Sequence, residues 1–157
     1  MAVNVDMINP FIGAAQSVLK DMAQISTKMG KPYLKNPEYE GNMITVIVGI
    51  TGEMRGQVIL SLTEEVACQI ASHMMMGMPV PELNDMAKSA VSELCNMILG
   101  NAATIFSTKG ISVDITPPNL VMGSNLSFSV SDAKTICVPL NNEDGTTLIE
   151  LNIAMKK

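Results

Sequence analysis

Ser89, Glu93, Asn96 and Gly100 follow one another at steps of four, three and four in the run SAVSELCNMILGNAA, the spacing that brings side chains to one side of an α-helix. No lysine or arginine stands among them, although solvated helix faces are usually built from long charged side chains. A carboxylate and a carboxamide lie one turn apart. The first can move a proton or pair with a cation; the second does not titrate but can donate and accept hydrogen bonds, so it can hold a water molecule. Thr104 and Ser107 extend the same side, while Ala87, Val91, Leu94, Ile98, Ala102 and Ile105 form the opposite, apolar side. Glycine inside a helix costs about 1 kcal/mol relative to alanine, so Gly100 predicts a close approach by something else. By periodicity alone, a solvated face of low charge would look the same.

Two carboxylates could divide acid and base duties, but this stripe has one. Phosphoryl transfer asks mainly for positioning and charge neutralisation. The stripe has no metal cage and no cationic grip, and the chain has no GxxxxGK[ST] loop. A phosphate would therefore have to arrive with its own metal and its own cations. The receiver domain of a response regulator is such a substrate, carrying an aspartyl phosphate, a divalent ion and a lysine.

The elements that must position these residues are readable in outline. Apolar residues at Ile12, Ala15, Val18, Leu19, Met22, Ile25 and Met29 predict a helix within 6–29. MITVIVGI and QVILSL, joined by TGEMRG, predict a hairpin. Thr63 before two glutamates predicts the N-cap of a second helix, closed by Gly77 and Pro79. The stripe belongs to a long helix expected from about Glu82 to Thr108 and ended by Gly110. ISVDI, LSFSV, TICVPL and TTLIELNIAM read as strands, the last two joined by NNEDG. This order predicts an α/β fold in one domain over 1–157, a mostly antiparallel sheet with two long helices and a shorter one packed on it. DMINPFIGAA echoes ELCNMILGNAA, placing Asp6, Asn9 and Gly13 where Glu93, Asn96 and Gly100 stand. The echo predicts a duplicated helix-plus-strands unit with pseudo-two-fold symmetry. Pro10 after Asn9 places Asn9 at or before the start of its helix.

Composition narrows the classes. At 157 residues with 47% hydrophobic and 16% charged residues the chain is globular, and a net charge of −5 argues against a nonspecific nucleic-acid binder. Two Tyr, three Phe and no Trp leave little for base stacking. Cys68, Cys95 and Cys137 are unpaired in spacing and read as small core residues in a reducing compartment. His73 stands alone and beside a methionine run, so it reads as structural, and the methionines read as pliable core or interface. No signal peptide and no bilayer-length apolar run is visible; a cytoplasmic location without membrane insertion is expected.

The run Ser89-x3-Glu93-x2-Asn96, followed by Gly-Asn-Ala and by a proline some twenty residues on, resembles the signature of the CheC/CheX/FliY chemotaxis phosphatases. The single motif, the short length and the opening NPF-containing helix are most similar to the CheX branch. The resemblance implies a hydrolase acting on a phosphorylated CheY-type response regulator. Asn96 would position the attacking water, Glu93 would pair with the receiver lysine, and Ser89 and Gly100 would serve the contact. It implies no cofactor of the chain's own, Mg2+ supplied by the receiver, and a homodimer through sheet edges. Pro117 and Pro118 both stand near the place of the family's proline, which leaves that match open. The echo departs further: Asp6 replaces Glu, and Ala2 stands where Ser or Asp is expected, so one working site is the expectation. The rival reading is a non-catalytic binding module related to the flagellar-switch domains, favoured if Glu93 and Asn96 are buried or locked in internal contacts. A metabolite sensor lacks any phosphate loop, cationic cluster or aromatic clamp. Because the stripe is nearly uncharged, docking through it should depend only weakly on salt.

Overall fold

The structure is a computed structural model and describes residues 5–34, 42–124 and 135–156. Helix α1 spans Val5–Ala23, and the two-residue strands β1 (Lys28–Met29) and β2 (Tyr33–Leu34) follow. Strands β3 (Asn42–Gly52) and β4 (Arg55–Thr63) form the expected hairpin. Then come α2 (Glu64–Met74), α3 (Asp85–Thr108), β5 (Val113–Ile115), β6 (Asn119–Ser124), β7 (Thr135–Asn141) and β8 (Thr147–Lys156). The strand expected at 126–130 lies outside the described residues, as does Ala2.

All the strands pair antiparallel, in the order β1, β7, β8, β4, β3, β5, with β2 also on β7 and β6 also on β3. Exchanging β1–β4 for β5–β8 maps this order onto its own reverse. The short strands β1 and β2 flank β7 as β5 and β6 flank β3, and α1 corresponds to α3. Topology therefore carries the two-fold repeat that the echo suggested, with α2 unmatched among the described elements. The two halves join where β4 pairs with β8, Val58 opposite Ile153.

Alternation along the strands sorts the residues between the two faces of the sheet. Ile44, Val46, Val48 and Ile50, with Val58, Leu60, Leu62, Val138, Leu140 and Leu151, join the helices in one core. The other face is closed as well: Thr45, Ser61, Cys137 and Asn152 are buried there. Asn152 donates from Nδ2 to the Ile59 carbonyl at 3.3 Å, and the Tyr33 hydroxyl donates to Glu150 at 2.5 Å, fastening β2 across β7 to β8.

Helix ends account for the differences from the sequence expectation. The apolar spacing runs to Met29, but α1 stops at Ala23 because Gln24 turns left-handed (φ +53°) and the Ile25 N–H returns to the Leu19 carbonyl at 3.1 Å. Its start is also earlier than Pro10 indicated. The helix begins at Val5, so Asn9 is inside it and Pro10 interrupts the ladder one turn later. The Pro10 ring is buried, and that burial offsets part of the lost hydrogen bond. Thr63 caps α2 as expected, accepting from the Val66 N–H at 3.2 Å. At the other end of α2, Gly77 donates to the Ser72 carbonyl at 2.8 Å and Met76 to the His73 carbonyl at 3.3 Å, a Schellman closure. Met76 takes the left-handed position (φ +60°) that glycine usually fills.

Candidate active site

Helix α3 begins three residues later than expected. Asn84 is its N-cap, accepting from the Ala87 N–H at 2.8 Å, and Leu83 turns into the core instead of opening the helix. Below that cap the apolar side is seated as predicted, with Ala87, Val91, Leu94, Ile98 and Ala102 buried and Ile105 half-buried. Phe106 meets Phe11 of α1 edge-to-face with centroids 5.3 Å apart, which sets the start of α1 against the end of α3. The stripe is thus the outer side of a capped helix fixed from beneath.

On that side Ser89 and Glu93 are exposed, and Asn96 and Gly100 are half-exposed. Neither the Glu93 nor the Asn96 side chain makes a hydrogen bond or ion pair with another described residue. Glu93 precedes Asn96 by three residues, an axial rise of about 4.5 Å, so one molecule can touch both. A Cβ added to Gly100 would meet nothing within 4 Å. Among the described residues no neighbour requires glycine there, so any close approach at Gly100 would come from outside the chain. Thr104 is committed elsewhere, donating to the Gly100 carbonyl at 3.1 Å. Pro117 and Pro118 lie between β5 and β6, the first exposed and the second half-buried. Thr116 holds that turn to β3, accepting from the Gly49 N–H at 2.8 Å and donating its own N–H to the Gly49 carbonyl at 2.9 Å.

The echo does not join this site. Asn9 stands beside Phe11, at the end of α3 marked by Phe106, and Asn96 is ten residues before Phe106, about 15 Å along the axis. Asp6, Asn9 and Gly13 are exposed on α1, and Gly13, like Gly100, has nothing within 4 Å of an added Cβ.

Among the described residues, other chemistry-bearing groups do not assemble a second centre. A cleft of about 560 Å3 runs along α2, lined by Glu64, Cys68, Ser72, His73, Val80 and Pro81 among others. Desolvation, with Glu64 and Glu82 adding to it, raises the Cys68 pKa, so this half-buried thiol is kept protonated and is a poor nucleophile. Burial pushes Cys95 up to about 12. Cys95 and Cys137 are buried as expected, Cys68 only partly, and none forms a disulfide. Among the described residues no group of three His, Cys, Asp or Glu could hold a metal ion, and no helix is long and apolar enough to cross a membrane.

Residues 44–141 match the family model described as chemotaxis phosphatase CheX. The CheY-P phosphatase CheX of Thermotoga maritima is 39% identical over 121 residues, 76% of this chain and 77% of that protein. The chain belongs to the CheX family. Solved structures agree with that membership across nearly the whole chain. A CheX–CheY–BeF3–Mg2+ complex from Borrelia burgdorferi contains a similar chain at 35% identity and TM-score 0.81, with 98% of this chain and 100% of that one covered. A CheC-like superfamily protein from Shewanella sp. PV-4 reaches TM-score 0.87 at 29% identity, covering 99% and 100%. The fold of the CheX family is therefore the fold described here, with its antiparallel sheet and three helices.

Proposed function

We propose that this chain hydrolyses the aspartyl phosphate of a phosphorylated CheY-type response regulator, with Glu93 and Asn96 as the residues that engage it. The observation that carries the reading is the pair itself: a carboxylate and a carboxamide one turn apart, accessible, and unpartnered among the described residues, on a helix fixed by its cap and core. A carboxamide held this way can bind a water oxygen or hydrogen and keep it in line with a phosphorus atom. Water adds to phosphorus, the bond from phosphorus to the aspartyl oxygen breaks, and that oxygen leaves as the receiver's carboxylate with inorganic phosphate as the other product. Little more is required, since such transition states are stabilised chiefly by positioning and by surrounding charge.

The surrounding charge comes with the substrate. Mg2+ and the lysine belong to the receiver, whose lysine pairs with Glu93 and sets the docking angle. Ser89, one turn before Glu93, supports that contact, and the bare surface at Gly100 lets the partner's backbone come close. A homodimer through sheet edges completes the reading, to be checked by the mass in solution. The rival binding-module reading would gain ground if the Glu93 and Asn96 side chains were buried or internally bonded, and among the described residues they are neither.

The deciding experiment follows the decay of phosphorylated receiver with and without the protein. Faster decay that Asn96→Ala and Glu93→Ala both abolish is the expected result. Unchanged decay with intact binding of the receiver would overturn the phosphatase reading in favour of a binding module.

A further inference from the structure

The stripe does not begin at Ser89. One step of three back along α3 reaches Met86, in the first turn and seven residues before Glu93, about 10 Å along the axis. Met86 is 64% exposed. The local structure does not need a methionine there: Asn84 supplies the cap, Asp85 and Lys88 approach each other at 4.0 Å, and Ala87 and Val91 seat the helix in the core. Single exposed apolar side chains are ordinary on protein surfaces, so exposure alone decides nothing. Position decides more. A standard interface covers about 800 Å2 on each partner, a disc of about 16 Å radius, and one centred on Glu93 and Asn96 includes Met86. Within that disc the stripe otherwise offers short polar groups, one carboxylate and a glycine, which confer orientation and little apolar burial. An unbranched, polarizable thioether is suited to follow the contour of a partner's surface.

We propose that Met86 is the apolar docking residue for the phosphorylated receiver, packing on the receiver's surface beside its phosphorylation site. The proposal rests on the phosphatase reading and deepens it: Glu93 and Asn96 act on the phosphate, and Met86 holds the partner that carries it. Its contact is made equally before and during phosphoryl transfer. It therefore lowers KM and leaves kcat alone.

Met86→Gln tests this, since it keeps length and helix propensity and removes the apolar surface, with Met86→Leu as the conservative counterpart. The expected result is a KM for phosphorylated receiver about tenfold higher for Met86→Gln, as expected from losing one largely buried methionine contact. In that result kcat stays within about twofold, Met86→Leu restores KM, and the melting temperatures are unchanged. An unchanged KM for Met86→Gln overturns the proposal. A changed oligomeric mass in place of a changed KM also overturns it, assigning Met86 to contact between copies of this chain. If the wild-type protein fails to speed receiver decay, the phosphatase reading itself has failed. Binding of the beryllofluoride-loaded receiver then tests the docking role separately, and equal affinity for wild type and Met86→Gln ends it.

Discussion

Asn9 and Asn96 occupy equivalent places in two helices that share a spacing, and the structure gives them different surroundings. Asn96 is followed by Met97, whose backbone N–H sits where the α-helical ladder can donate to the Glu93 carbonyl. Asn9 is followed by Pro10, which has no N–H to give the Asp6 carbonyl and whose ring crowds that carbonyl. Glu93 and Asn96 lie well inside α3, below a cap and above a seated apolar side. Asp6 lies in the first turn of α1, is one methylene shorter, and is already engaged by another group of the chain. Spacing thus sets where a carboxylate and a carboxamide stand. Whether they are held still, and left free for a partner, depends on what each helix places around them.

The largest effect that would test this contrast is on turnover. Asn96→Ala should slow receiver dephosphorylation by about a hundredfold or more, as expected when a water-positioning group is removed, and Asn9→Ala should leave the rate within about twofold. An equal loss from both would mean that α1 carries a working site. Glu93→Gln should come next, raising KM about tenfold by losing a charge pair at the contact, while Asp6→Asn leaves KM alone; a titration of rate against receiver concentration separates the two.

Smaller effects divide the two glycines. Gly13→Ala and Gly100→Ala should each stabilise by about 0.5–1 kcal/mol, since both positions are helical and have open space for a Cβ. That corresponds to a rise of about 1–4 °C in melting temperature for a domain of this size. Activity should distinguish them: Gly100→Leu impairs dephosphorylation and Gly13→Leu does not. The smallest expected effect is none at all. In an Asn96→Ala background, Asp6→Glu combined with Pro10→Met should restore no activity, because Ala2 still stands where the stripe has Ser89, and any measurable rescue would show that Asp6 and Pro10 together are the main differences between the helices.

How much could be read from the residues alone follows from the range of each signal. The long helix, its apolar side and the stripe were legible because they repeat a 3.6-residue period over many turns, and the two hairpins because β-branched runs flank turn residues. Helix ends were less legible. Ile25 and Met29 continue the apolar spacing of α1 past its true end at Ala23, where the left-handed turn is taken by Gln24 and no glycine marks the stop. Leu83 belongs to the core without belonging to α3, so the cap at Asn84 was missed in favour of Glu82. Strands β1 and β2 have two residues each and no pattern of their own; they exist because β7 offers them an edge. Strand β6, NLVMGS, lacks alternation and is set by pairing with β3. At the site, the sequence could propose that Glu93 and Asn96 share a side. That both lack a partner among the described residues, and that Gly100 faces open space, became visible only with the packing around them.

The join between β4 and β8 has a consequence for how the chain is made. Each hairpin can close locally, but the seam that unites them pairs Val58 with Ile153 and must wait for the last strand. At a synthesis rate of about 5–20 residues per second, β4 is finished about 5–20 s before β8 leaves the ribosome. Throughout that interval its edge carries unpaired backbone groups flanked by Val58, Ile59, Leu60 and Leu62, an invitation to pair with another chain. The final strand therefore acts as the closure of the molecule, and a chain cut short before Thr147 should aggregate through β4 even with the Glu93 and Asn96 helix intact.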